Sequence, residues 1–192
     1  MGGSISQLQI EEVDELRKKY PQYTQSDIRR LYKRFTEIDR GNKGFLTPSD
    51  LIALPELAMN PCQERLLALL PMDEGRMNFC LFCAGLAPFH PLAPAAAKLE
   101  FLFRFYDVDG DGFVSVSDVE SILRMSAGAD AGADSKRALG DEEIKELARG
   151  ALGGRDKIDS EGFAVLCGPE EAIMRKLQFP FRTQPTESEF FD

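Results

Sequence analysis

The 192-residue chain has no tryptophan, one histidine and four cysteines. Each scarcity removes a class of chemistry. A nucleophile–base relay would rest on His90 alone, and His90 stands among Pro88, Pro91 and Pro94 with no such pair in view. No glycine-rich phosphate cradle is present either. The chain reads as a non-enzyme. Among Cys62, Cys80, Cys83 and Cys167 only Cys80 and Cys83 lie close in sequence, and two thiols fall short of the four ligands zinc requires. Two cysteines three apart on a helix read as core filling by free, reduced thiols.

Positive charge is also short. Lys and Arg number 23 against 32 Asp and Glu, a net charge of −9, which excludes the basic footprint of a nucleic-acid binder. The acidity is local: residues 1–87 carry 11 basic and 12 acidic side chains, residues 88–192 carry 12 and 20. Residues 77–97 hold no charge at all, yet the three prolines, Asn78 and His90 forbid a membrane-spanning helix there. The first ten residues lack the basic start and apolar run of a secretory leader, so a cytoplasmic location is expected.

What is present is repetition. Ile28, Leu31, Tyr32, Phe35 and Ile38 recur at helical spacing behind Ser26, the expected N-cap. A Gly- and Asp-rich loop (39–50) leads to a second apolar stretch, 51–57, bounded or kinked by Pro55 and Pro61. The order then returns: Leu99, Leu102, Phe103 and Tyr106, a loop at 107–118, and Val119, Ile122, Leu123 and Met125. Helix, twelve-residue loop and helix make an EF-hand unit. Two fainter units align on an apolar residue at the eighth loop position, giving Leu46, Met77, Val114 and Ile158 at a mean spacing of about 37 residues. Leu51, Phe82, Val119 and Phe163 follow the four loops.

The expected fold is all-α: four EF-hand units paired into two lobes, each with a short two-stranded antiparallel β-ladder. The organisation read from the chain has five parts. Residues 1–25 form an N-terminal segment and first helix, and 26–87 an N-terminal lobe with degenerate loops. Residues 88–97 form an extended Pro/Ala linker. Residues 98–168 form a C-terminal lobe, and 169–192 a last helix and tail. Within the second lobe, 126–140 is made mostly of small and polar residues, with Asp130 and Asp134 balanced by Lys136 and Arg137, and reads as a flexible connection before a helix opened by Asp141.

One loop carries a full ligand set. Asp107, Asp109 and Asp111 supply positions 1, 3 and 5, Gly112 makes the turn at 6, Phe113 offers its carbonyl at 7, Ser115 stands at 9 and Asp118 closes at 12. Asp118 is one methylene shorter than the usual Glu, so it more easily gives one oxygen than two. The site therefore suits weak Ca²⁺ binding or resident Mg²⁺. The first loop places Gly41 and Lys43 at positions 3 and 5, where an ammonium repels an ion. The second is shortened at Asp73-Glu74-Gly75 with Leu81 at its end, and the fourth has Gly162 at position 12. These three read as structural.

The wording of residues 28–61 (IRRLYKRFTEIDRGNKGFLTPSDLIALPELAMNP), 98–115 (KLEFLFRFYDVDGDGFVS), 122–125 (ILRM) and 77–82 (MNFCLF) resembles the calcineurin B homologous proteins, and more distantly calcineurin B itself. The resemblance implies a non-catalytic regulatory subunit that holds an amphipathic helix of a larger partner in an apolar groove. For one branch that partner is the cytoplasmic juxtamembrane helix of a sodium/proton exchanger, a membrane transporter. For calcineurin B it is the catalytic subunit of a Ser/Thr phosphatase. Two features depart from the first branch: the fourth loop lacks ligands, and the long insertion between lobes is replaced by the short linker.

Abundant Phe and Met on repeated helices also suit such a groove. The expected lining is Leu66, Leu69, Phe82, Leu86, Phe101, Phe105, Ile122 and Met125. Residues 1–6 (MGGSIS) fit an N-myristoylation signal with Gly2 as acceptor. One acyl chain anchors only marginally, so peripheral membrane attachment needs a second anchor, from the basic faces Arg17–Lys19 and Arg29–Arg34 or from the partner. The Phe-bearing tail at 179–192 is expected to lie across the empty groove.

Overall fold

The computed structural model describes residues 10–128 and 140–168. Gly2, the tail at 169–192 and most of the 126–140 connection lie outside those residues.

Helix α1 (Ile10–Lys19) packs on α2 (Gln25–Ile38). The α2 cap is Thr24 rather than the expected Ser26: the Thr24 hydroxyl accepts from Asp27 N–H, and the Asp27 carboxylate accepts from Thr24 N–H at 2.9 Å. This reciprocal box satisfies two orphan donors with one pair of side chains. The face so aligned buries Ile28, Leu31, Phe35 and Ile38. The stretch after the first loop divides into α3 (Pro48–Ile52) and α4 (Pro55–Ala58), because Pro55 lacks the N–H that would continue one helix. Helix α5 (Gln63–Leu69) precedes the second loop and α6 (Phe79–Leu86) follows it.

Leu46 and Met77 form an isolated antiparallel bridge between the first two loops. In the second lobe β1 (Val114–Ser115) pairs antiparallel with β2 (Lys157–Ile158), Val114 opposite Ile158. All four eighth-position residues thus pair across their loops, Leu46 with Met77 in a single bridge and Val114 with Ile158 in a two-stranded ladder. Helices α7 (Ala95–Tyr106), α8 (Val116–Gly128), α9 (Asp141–Ala151) and α10 (Ser160–Cys167) complete that lobe.

The stretch read as an extended linker is partly helical. A single 3₁₀ turn covers Ala87–Phe89 and α7 begins at Ala95, with Ala87 and Ala93 buried. Likewise α8 runs to Gly128, into the segment read as a flexible connection. Among the described residues two apolar cores result. One runs from Val13 through Phe82 to Phe101, the other gathers Val114, Val119, Ala148, Leu152, Ile158 and Phe163. Helix α7 serves both: Phe101 is buried in the first, while Leu99, Leu102, Phe103 and Tyr106 pack on the second. Among the described residues no helix is long and apolar enough to cross a membrane.

Candidate metal centre and apolar cavity

The 107–118 loop joins α7 to α8 through β1. Carboxylate oxygens of Asp107, Asp109 and Asp111 lie mutually within 4.8 Å. Backbone amides hold them there: Gly110 and Gly112 donate to the two oxygens of Asp107 at 2.9 and 3.1 Å. Asp111 N–H donates to Asp109 and Phe113 N–H to Asp111, at 3.1 and 2.8 Å. Gly112 has φ of +84°, a conformation that penalises any Cβ, so the sharp turn at position 6 requires glycine. Three carboxylates packed this closely repel one another, and a hard divalent cation is what offsets that repulsion; an all-oxygen donor set fits Ca²⁺ or Mg²⁺.

Asp118 stands apart from this trio. It is buried, with Oδ1 accepting from Val108 N–H at 3.1 Å and Oδ2 from Ser115 N–H at 2.8 Å and from the Ser115 hydroxyl. Its short side chain therefore ties the loop's two ends together. Phe113 is partly exposed, with the Lys157 ammonium 3.9 Å above its ring.

Of the expected groove residues, Leu66, Phe82, Leu86 and Phe101 line one cavity of about 30 Å³. Leu51, Leu57, Leu70, Met77 and Phe89 complete its wall. Leu69 is buried in the same core and Phe105 flanks it. Ile122 is buried and Met125 half-buried on α8, neither of them lining this cavity. The space would admit a water or two by size, but its lining carries no polar partner and keeps it dry.

The EF-hand domain family matches residues 98–129, the segment holding the carboxylate trio. Across 164 residues, 85% of this chain and 87% of the relative, the sequence is 35% identical to the type 2 calcineurin B protein of Dictyostelium discoideum. The chain belongs to the calcineurin B-like EF-hand family. It is also similar to the calcineurin B protein of Naegleria gruberi, 34% identical over 85% of this chain and 91% of that protein. Against the type 1 calcineurin B protein of Dictyostelium discoideum it is 29% identical over 92% and 97% of the two chains.

In this calcineurin B-like chain the first two loops are held by their own side chains and backbone. In the first, Lys43 Nζ lies 2.7 Å from Oδ2 of Asp50, so an ammonium meets the position-12 carboxylate that an ion would use. Buried Asp39 accepts from Lys43 and Gly44 N–H at 3.0 and 2.7 Å. In the second, Asp73 and Arg76 exchange backbone hydrogen bonds of 2.8 Å around Glu74 (φ +47°) and Gly75 (φ +73°), a two-residue hairpin turn.

Three residues of note carry no mark in the sequence. Arg65 reaches from α5 to the end of α7. Lys98, read as the first residue after the linker, is only 2% exposed, and burial holds its ammonium below the usual lysine range. Tyr23 donates to Cys83 O at 2.9 Å and meets the His90 ring edge-on at 5.3 Å, which ties the start of α2 to the connection between lobes. A reach to backbone carbonyls or to a ring far along the chain leaves no spacing pattern in sequence.

Proposed function

We propose that the chain is a non-catalytic regulatory subunit of a calcineurin-type Ser/Thr phosphatase. In this reading the N-terminal cavity receives the apolar face of an amphipathic helix from the catalytic chain, and Ca²⁺ or Mg²⁺ in the 107–118 loop modulates the complex. The observation that carries the reading is the cavity walled by Leu66, Met77, Phe82, Leu86 and Phe101, beside a ladder that holds the two degenerate loops together. Its small volume means that a partner side chain must part α5 and α6 to enter, and Met77 and the Phe side chains give the walls adaptable shape. The names of the three relatives favour a phosphatase catalytic chain as the larger partner over the transporter helix.

The same proposal makes Gly2 the site of a myristoyl group. Arg17, Lys18 and Lys19, which close α1, then supply a second, electrostatic hold on an acidic membrane surface. The protein is cytoplasmic and peripherally attached.

The test is co-purification of the full-length chain from native extract, once with Ca²⁺ and once with chelator, and identification of what remains bound. A phosphatase catalytic chain supports the proposal. A sodium/proton exchanger transfers the same helix-binding role to a transporter. Recovery of no helix-bearing partner in either condition contradicts both.

A further inference from the structure

Helix α7 ends at the first residue of the ion loop, and its last carbonyls have no partner within the helix. A side chain of the other lobe supplies one. The Arg65 guanidinium, on α5, donates from Nε to Phe105 O at 3.1 Å and from Nη1 to Val108 O at 3.5 Å. Its Nη2 donates to Arg104 O and to Asp107 O. A cation at a helix C-terminus also meets the negative end of the helix dipole.

One of these contacts reaches the site directly. Asp107 C=O and Val108 N–H belong to a single peptide plane. Arg65 holds that plane by its oxygen, and Asp118, the position-12 carboxylate, holds it by its N–H at 3.1 Å. Drawing Asp118 toward an ion removes one of the two grips, and the plane can then turn only against Arg65. The next residue on α5, Leu66, lines the apolar cavity together with Phe101 of α7. The residue just before α5 touches the exit helix, through Cys62 Sγ and Ser126 Oγ at 3.7 Å. So α5 and its cap contact both helices that flank the loop while forming a wall of the cavity.

We propose that Arg65 is a positioning residue that transmits the state of the 107–118 loop to the N-terminal cavity, coupling ion binding in one lobe to partner binding in the other. The inference rests on the ion-binding reading above, and its test separates the two. Ca²⁺, and in a second series Mg²⁺, is titrated into ¹⁵N-labelled full-length protein while amide shifts are followed. In the wild type, Gly112 in the loop and Leu66 and Met77 in the cavity wall move with one midpoint. In Arg65→Met, Gly112 still titrates, while the Leu66 and Met77 displacements fall to about a fifth or less, the scale of a lost allosteric coupling. Arg65→Lys keeps the charge but not the fork and gives an intermediate loss, which serves if the Met variant folds poorly. Undiminished Leu66 and Met77 displacements in both variants, or none in the wild type, overturn the inference. A wild-type Gly112 that neither ion moves overturns the ion-binding reading itself.

Discussion

Leu46 and Met77 exchange both of their backbone hydrogen bonds, N–H to O at 2.8 Å in each direction, although neither of their loops retains the ligands of a cation cage. Both side chains are essentially inaccessible, at 0% and 1%. Loop pairing in the first lobe is thus carried by backbone bonds and apolar burial, and a resident ammonium takes the place of an ion. Among the described residues the clustered carboxylates lie in the second lobe, in the 107–118 loop.

That ammonium gives the first prediction. Its hydrogen bond, with that of Thr47 next, lowers the Asp50 carboxyl from 3.8 to about 2. A depressed carboxyl pKa stabilises the fold fully above about pH 4, and the contribution is lost as the pH falls toward 2. Lys43→Met should remove the Lys43 share of it and leave that of Thr47. The pair is partly solvated, so the cost is about 1 kcal/mol or less and the melting temperature drops by roughly 2–4 °C at neutral pH. Gly41→Asp with Lys43→Asp should instead create a second ion site; the Gly41 Cβ meets only the Lys43 side chain, which the second change removes. Calorimetry showing a single site in the double variant contradicts the assignment.

Lengthening Asp118 should shift ion preference. Asp118→Glu brings a carboxylate able to offer both oxygens, which favours the larger coordination shell of Ca²⁺ over octahedral Mg²⁺. The Ca²⁺ affinity relative to Mg²⁺ should rise about tenfold, or roughly 1.4 kcal/mol. Equal gains for both ions in a titration would count against this account of position 12.

Mild acid should loosen the connection between lobes. His90 Nδ1 accepts from Leu92 N–H at 3.1 Å, and Nε2 lies 3.7 Å from Asp27. Burial lowers the His90 pKa below its ordinary 6.5, with Asp27 opposing and Lys98 adding to the shift. The fold therefore prefers neutral His90: the stability it lends is complete above pH 6.5 and declines as the pH falls below that value. Melting temperatures between about pH 7 and pH 5.5 should fall more steeply in wild type than in His90→Gln. Parallel curves would refute the role given to His90.

Thiol reactivity should split the C-x-x-C pair. Cys80 is exposed, whereas Cys83 is fully buried and its thiol is pushed up to about 12 by burial and then by Cys80. An aromatic disulfide reagent should label Cys80 in the native protein, and Cys83 and Cys62 only after unfolding. Native labelling of Cys83 at the rate of Cys80 contradicts the packing described for α6.

The repeat was readable from sequence because its marks are local. A 3.6-residue apolar period and an eighth-position residue recur whatever happens to the ligands, so Leu46, Met77, Val114 and Ile158 located both ladders. The D-x-D-x-D-G wording located the carboxylate trio for the same reason. What escaped was long-range. Arg65 looked like any helix-surface arginine, since its acceptors are main-chain oxygens some forty positions away. The C-x-x-C core reading held for Cys83 and not for the exposed Cys80.

Much of the proposed function rests on a partner helix docking in the cavity of the first lobe. A synthetic amphipathic helix, taken from the region of a phosphatase catalytic chain that binds calcineurin B, tests it most directly when titrated into the full-length protein with and without Ca²⁺. The account predicts one-to-one binding with a negative heat-capacity change, amide displacements centred on Leu66, Met77 and Phe82, and tighter binding with the ion present. Binding that leaves those three amides unmoved, or no binding in either condition, would contradict it.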